Sequence, residues 1–325
     1  MLRQSEIKNI SRYEGFRAYL TCYTKPFISP FHAYLAYQKT YRNYARVIFQ
    51  MLKSNYPIEA VTRSGENITF RDRSEISFVT RMVYHGCNEI EITDDKLTIF
   101  SYLSEKNKKN KISVYDGITN GDLCDIFFDR VYEFLPINGK TVIDVGANIG
   151  DSCIYFVLRE PKQIIAIEPF PKNYESAKKN IDMNGFSDNV ILCLAGCAGE
   201  TGDINIDPLY ESNACSSLEE FNQGIKIPLI TLNDILTQNN ISGEAVLKMD
   251  CEGCEYQAIL SSTSETLRFF SHILIEYHFG YKNLREKLEK SGFQVSVTRP
   301  LWEYSSPTRG KKMGYTGYIY AVKKE

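Results

Sequence analysis

No run in these 325 residues approaches the ~18 consecutive apolar residues of a membrane-spanning helix. The first residues, MLRQSEIKNISRYEGF, lack the uninterrupted apolar stretch of a secretory signal, so the expected compartment is cytoplasmic. Nine cysteines make an odd count with none of the even spacing of a disulfide framework, which predicts reduced thiols. There is no internal repeat, no low-complexity tract and only one tryptophan, Trp302. A net charge of −2 excludes a generally basic nucleic-acid binder. What is present, 43% hydrophobic and 24% charged residues, is the composition of an ordinary globular chain. At ~100–200 residues per domain, its length allows more than one domain and fewer than three.

The small net charge hides an asymmetry. Residues 1–56 carry nine Lys/Arg against two acids, a net of +7, which leaves −9 for the rest. The same segment holds 12 of the 41 aromatic residues. Ser29-Pro30 reads as a helix start, and Tyr34, Tyr37, Tyr41, Tyr44, Ile48 and Met51 recur at alternating spacings of three and four. This predicts a basic aromatic helix over 30–54. Its first reading is a helix packing its Tyr seam on the rest of the chain, with a solvated basic face. The 34–51 seam could also join a homodimer, or the basic face could make a peripheral membrane contact beside an anionic lipid-linked acceptor.

Short strand patterns (ENITF, NEIEI, KLTIF) follow, then a polar run at 105–111 and a helix expected from about Asp122 to Leu135. Residues 1–120 are therefore read as a smaller α+β region. From 121 to 325 strands and helices alternate. The strands are TVIDV (141–145), QIIAI (163–167), VILCL (190–194), AVLKM (245–249) and ILIEY (273–277). FQVSV and YIYAV close the chain as an antiparallel edge pair. This order predicts an α/β, doubly wound, mostly parallel sheet.

Chemistry enters at DVGANIG (144–150). Gly146 lets the chain turn tightly at the strand end, and Gly150 allows a helix or a ligand close approach. Glu168 ends the next strand, 22 residues after Gly146, where a carboxylate can accept hydrogen bonds from both ribose hydroxyls. Asn148 replaces the second glycine of a dinucleotide fingerprint, and Asp144 at the strand tip would repel a pyrophosphate but could orient the loop or hold an ammonium group. That favours S-adenosylmethionine over NAD. The GKT at 139–141 lacks the first glycine of a P-loop, Phe134 standing there.

DVGANIG, EPFP (168–171), KMDCEGCE (248–255) and Glu276-Tyr277-His278, in this order, resemble the FkbM family of S-adenosylmethionine-dependent methyltransferases. The resemblance implies a Rossmann-like class I methyltransferase fold, with a seven-stranded sheet in the order 3-2-1-4-5-7-6. It also implies methyl transfer to a hydroxyl, on a sugar, glycolipid or secondary metabolite. It assigns Asp144, Gly146, Asn148, Gly150, Glu168 and Asp250 to the cofactor. Asp250, Glu252, Glu276 and His278 are expected to converge beside the methyl group, with His278 as general base. The competing assignment is a divalent cation on Asp250, Glu252 and Glu276. Glu252 and Glu255 could instead cap the following helix. Lys248 is expected to pair with Asp144 or Glu168. Cys251-x-x-Cys254 is read as buried reduced thiols rather than a zinc site, and Cys193 and Cys197 lie three strands away. Tyr210–Phe221 and 300–313 are read as acceptor-side loops. No N/D-P-P-Y follows the fourth strand, which disfavours a nucleic-acid base as acceptor. An NAD-type oxidoreductase and a non-catalytic cofactor-binding module remain the alternatives.

Overall fold

Two segments, Thr141–Val145 and Ala245–Met249, apolar but for one charged residue in each, are buried at every residue, as strands covered on both faces must be. A computed structural model places them side by side at the centre of a sheet. It describes residues 30–63, 65, 67–84, 90–92, 96–101, 110–117, 122–206, 224–304 and 313–325. The chain groups into two compact units, one of Tyr23–Val131 and one containing Tyr132–Glu325, against an expected division at 120/121.

In the first unit the expected helix over 30–54 is two helices, α1 (Pro30–Thr40) and α2 (Tyr44–Leu52). The break has a non-local cause. Tyr41 bridges Thr62, Arg42 N–H donates to Val61 O (2.7 Å), and the Asn43 side chain bonds Val61 N–H and Glu59 O. Tyr37 and Tyr41 are buried, Tyr41 against Phe70 and Thr80, so this part of the seam packs inside the unit. β1 (Ile58–Val61) and β2 (Asn67–Phe70) form a hairpin, followed by α3 (Arg73–Tyr84). β3 (Ile90–Ile92), β4 (Lys96–Ser101) and β5 (Asn110–Tyr115) make a second antiparallel sheet. The helix expected over 122–135 is a single π-helical turn, Cys124–Phe128. Arg81 draws in Asp125 and Asp129 (both 2.8 Å), and Arg130 at φ 55° turns the chain away.

The second unit alternates β6 (Thr141–Val145), α4 (Asp151–Val157), β7 (Gln163–Glu168), α5 (Pro171–Met183) and β8 (Val190–Leu194). β9 (Gly196–Cys197), β10 (Gly202–Ile206) and β11 (Ile225–Ile230) form a small side sheet that period and composition did not indicate. Then come α6 (Leu232–Gln238), β12 (Ala245–Met249), α7 (Cys254–Ser261), α8 (Ser264–Arg268), β13 (Phe270–Tyr277), α9 (Lys282–Lys290), β14 (Phe293–Val297), β15 (Leu301–Tyr304) and β16 (Met313–Lys323). The main sheet runs β8-β7-β6-β12-β13-β16-β14, parallel except where β16 pairs antiparallel with β13 and β14. This is the order 3-2-1-4-5-7-6, a Rossmann-like class I methyltransferase fold. Part of the 300–313 loop is strand β15, paired with β16. The Tyr210–Phe221 loop lies outside the described residues. Among the described residues, no helix is long and apolar enough to cross a membrane.

Beneath the β6 turn lies a buried ion pair, Lys248 Nζ to Asp144 Oδ1 at 3.1 Å. Parallel pairing puts Lys248 opposite Asp144 in register. Burial alone would lower the Lys248 ammonium, but Asp144, with Asp250, outweighs it and holds the group above the ordinary lysine range. Lys248 also donates to Gly146 O (2.7 Å), and Ser152 donates to Asp144 Oδ2 (2.6 Å). Removing one partner leaves a charge stranded in the core, at a cost of about 3–5 kcal/mol. We therefore expect Lys248→Met to lower denaturant stability by that amount, and Lys248→Met with Asp144→Leu to recover most of it.

Candidate active site

β6 ends at Val145, and Gly146 turns the chain at φ 82°. The turn lies against the end of β12, where Asp250 N–H donates to Val145 O (3.0 Å). A Cβ at position 146 would stand 1.8 Å from the Asp250 carbonyl oxygen, so a side chain is excluded by backbone. Gly150, at φ 83°, answers to the protein rather than a ligand, because a Cβ there would come within 3.1 Å of Ala177 Cα in α5.

An open cavity lies at the carboxyl ends of β6, β7 and β12. Gly146, Asn148, Glu168, Phe170, Asn173, Cys197, Asp250 and Glu252 are among its lining residues. Open α/β sheets bind ligands at this edge. Glu168 is the last residue of β7 and is buried. Its Oε2 accepts the Asn148 N–H (2.9 Å), and its Oε1 accepts the Phe170 N–H (3.0 Å) and the Asn173 amide (3.3 Å). Burial pushes its carboxyl up to about 7 even though those donors favour the charged form. Asp144 does not line the cavity. It is fully buried and spent on Lys248 and Ser152, so it orients the loop and is not placed to hold an ammonium group.

The second group of predicted residues gathers at the other end of the cavity, with one exchange. Asp250 Oδ1 and Glu252 Oε1 lie 3.8 and 3.4 Å from His278 Nε2. Glu276 does not join them: β13 ends at Tyr277, so the two-residue alternation that put Glu276 and His278 on one face stops before His278. Glu255 takes that place. Fully buried, it accepts His278 Nδ1 at 3.0 Å and the Gly253 N–H at 2.8 Å, so it caps α7 and grips the imidazole together. The signal was the last acid of KMDCEGCE. Burial alone would lower the His278 imidazole, but Glu252 and Glu255 raise it well above its ordinary value. Both ring nitrogens face carboxylates, an arrangement that favours the protonated ring over the free general base expected. Burial raises the Glu252 carboxyl, partly offset by His278.

The chain between these groups turns through Glu252 at φ 56° and Gly253 at φ 122°. That turn brings the Cα atoms of Cys251 and Cys254 to 5.5 Å, and the two are joined as a disulfide. The expectation of two reduced thiols is corrected accordingly. Cys193 and Cys197 are free, on β8 and β9, and burial pushes the Cys197 thiol up to about 12.

Residues 144–295 match the model of the methyltransferase FkbM domain. That stretch is a methyltransferase FkbM domain. It is 23% identical over 159 residues to the hexuronic acid methyltransferase AglP of Haloferax volcanii, covering 48% of this chain and 64% of that protein. The match thus spans less than two thirds of AglP. Protein 65 of a Sulfolobus islandicus filamentous virus is 31% identical over 113 residues, covering 30% of this chain and 71% of its own. Among solved structures, methyltransferase FkbM from Methylobacillus flagellatus aligns with a TM-score of 0.41 at 14% identity. That alignment covers 89% of this chain and 58% of the other.

For this FkbM domain the geometry makes ligand affinity pH-dependent. Burial lets Glu168 hold a proton below about 7, and only its ionised form could accept both hydroxyls of a ribose. The affinity for S-adenosylhomocysteine should therefore fall by up to about tenfold per pH unit below about 7. Titration calorimetry should show this slope in the wild type and lose it in Glu168→Gln.

Proposed function

We propose that the chain is an S-adenosylmethionine-dependent O-methyltransferase acting on a hydroxyl of a sugar-type acceptor. One observation carries the reading. One cavity is lined by the Glu168 carboxyl, by the Gly146 turn that has no room for a side chain, and by the carboxylates of Asp250 and Glu252. The hexuronic acid methyltransferase in the comparison supports a sugar-type acceptor.

The residues present fit that cofactor. Glu168 would hold the ribose, and the Gly146 turn would let the amino-acid portion pass close to the backbone. Bound there, the cofactor supplies an electrophilic methyl group. The protein's own part is to place the acceptor oxygen in line and to take its proton. Glu252 is suited to the second task, because burial makes its carboxylate more basic than usual while it still faces the cavity. The His278 imidazolium, fixed by Glu255, orients Glu252 and offsets the charge of the acidic pair.

A divalent cation is the second reading, favoured by one measurement. The ligand atoms of Asp250, Glu252 and His278 lie within 4.8 Å of one another. A set with an imidazole suits manganese, iron or zinc better than magnesium. Dialysis against EDTA separates the readings: a carboxylate base predicts unchanged turnover, and a cation predicts its loss with recovery on adding manganese.

The primary test is release of S-adenosylhomocysteine over a panel of uronic-acid and neutral sugar acceptors. We expect release with at least one, and a fall of about 10²–10⁴-fold for Glu252→Gln at unchanged cofactor affinity. Binding of NAD in place of S-adenosylmethionine would contradict the proposal. So would donor binding without turnover on any hydroxylated acceptor.

A further inference from the structure

α2 shows water an apolar surface that its own unit does not cover. Val47 faces inward and is fully buried, whereas Phe49 is 58% and Leu52 75% exposed. The two are three positions apart, hence neighbours on one helix face. Arg46 and Lys53 are exposed beside them, and the Lys53 ammonium sits 4.3 Å from the centre of the Phe49 ring. From residue 30 to residue 58 the sequence contains no Asp or Glu. The outer face of α2 is thus a pair of projecting apolar side chains flanked by two cations, Arg46 and Lys53.

We infer that this face docks the protein on an anionic lipid bilayer. Three physical points select a membrane over other anionic partners. Nucleic acid would satisfy Arg46 and Lys53 but leave Phe49 and Leu52 in water. A helix of nine residues is ~14 Å long and ~10 Å wide, a footprint of roughly 140 Å², whereas a stable protein interface takes about 800 Å² from each partner. A bilayer asks for no matching shape. It accepts apolar side chains ~5–10 Å into the headgroup boundary and attracts the cations around them. No helix of the described residues is suited to cross the membrane, so the contact is peripheral.

The test is sedimentation of the full chain with vesicles of phosphatidylcholine, with and without phosphatidylserine. Binding is expected only with phosphatidylserine, and it should vanish near 1 M salt, where the screening length is ~3 Å. Phe49→Ser with Leu52→Ser should weaken it about tenfold or more. Arg46→Glu with Lys53→Glu should weaken it at least about 25-fold, at roughly fivefold for each basic residue. Circular dichroism and S-adenosylhomocysteine affinity identify any variant that has failed to fold, and the charge-reversed pair then serves alone. No binding to phosphatidylserine vesicles at low salt would overturn the inference. Equal binding by the folded variants would do the same, as would self-association of the wild type that the serine variant abolishes.

Discussion

The site depends on one buried interaction, the Lys248–Asp144 ion pair beneath the glycine turn. Two charges in the centre of a sheet are tolerated because each is paired with the other and hydrogen-bonded besides. Asp144 also accepts from Ser152, and Lys248 also donates to the Gly146 carbonyl. The pair ties the end of β6 to β12 and fixes the turn that shapes the cavity floor. Asp250 follows β12 directly, and its carbonyl stands where a side chain at 146 would go. On the proposed reading, the ion pair positions both the cofactor side and the start of the acceptor side, and neither of its members lines the cavity.

At the acceptor side the controlling physics is again crowding of charge. Asp250, Glu252 and Glu255 surround one imidazole, and they share it unequally. Glu255, with no exposure, fixes the ring, whereas Glu252 is held at a left-handed turn and faces the cavity. A histidine placed this way organises the carboxylates around it. On the proposed reading, the group it organises takes the acceptor proton.

Much of this was legible in the sequence, for definite reasons. TVIDV and AVLKM read correctly because central parallel strands are near-continuous apolar runs ended by turn residues, and VILCL at the sheet edge carries the same run of strand-forming residues. Gly146, Glu168 and Asp250 were legible because the sheet edge fixes where strand tips lie. The failures share a cause, which is that local period says nothing of distant partners. The Tyr seam looked like one helix until Tyr41 to Asn43 turned out to pair with the β1 segment. Glu276 was chosen by an alternation that ends one residue before His278. Glu255 looked like a helix cap, which it is, but its second oxygen also grips a histidine 23 residues on. The small sheet of β9, β10 and β11 escaped because its two-residue strand is too short to carry a pattern.

The most direct measurement is a crystal structure with S-adenosylhomocysteine bound. The predicted result has the ribose hydroxyls on Glu168, the homocysteine portion over Gly146, and the sulfur directed towards Asp250 and Glu252. A nucleoside bound away from Glu168, or a sulfur pointing away from that acidic pair, would contradict the division of the cavity into a cofactor end and an acceptor end.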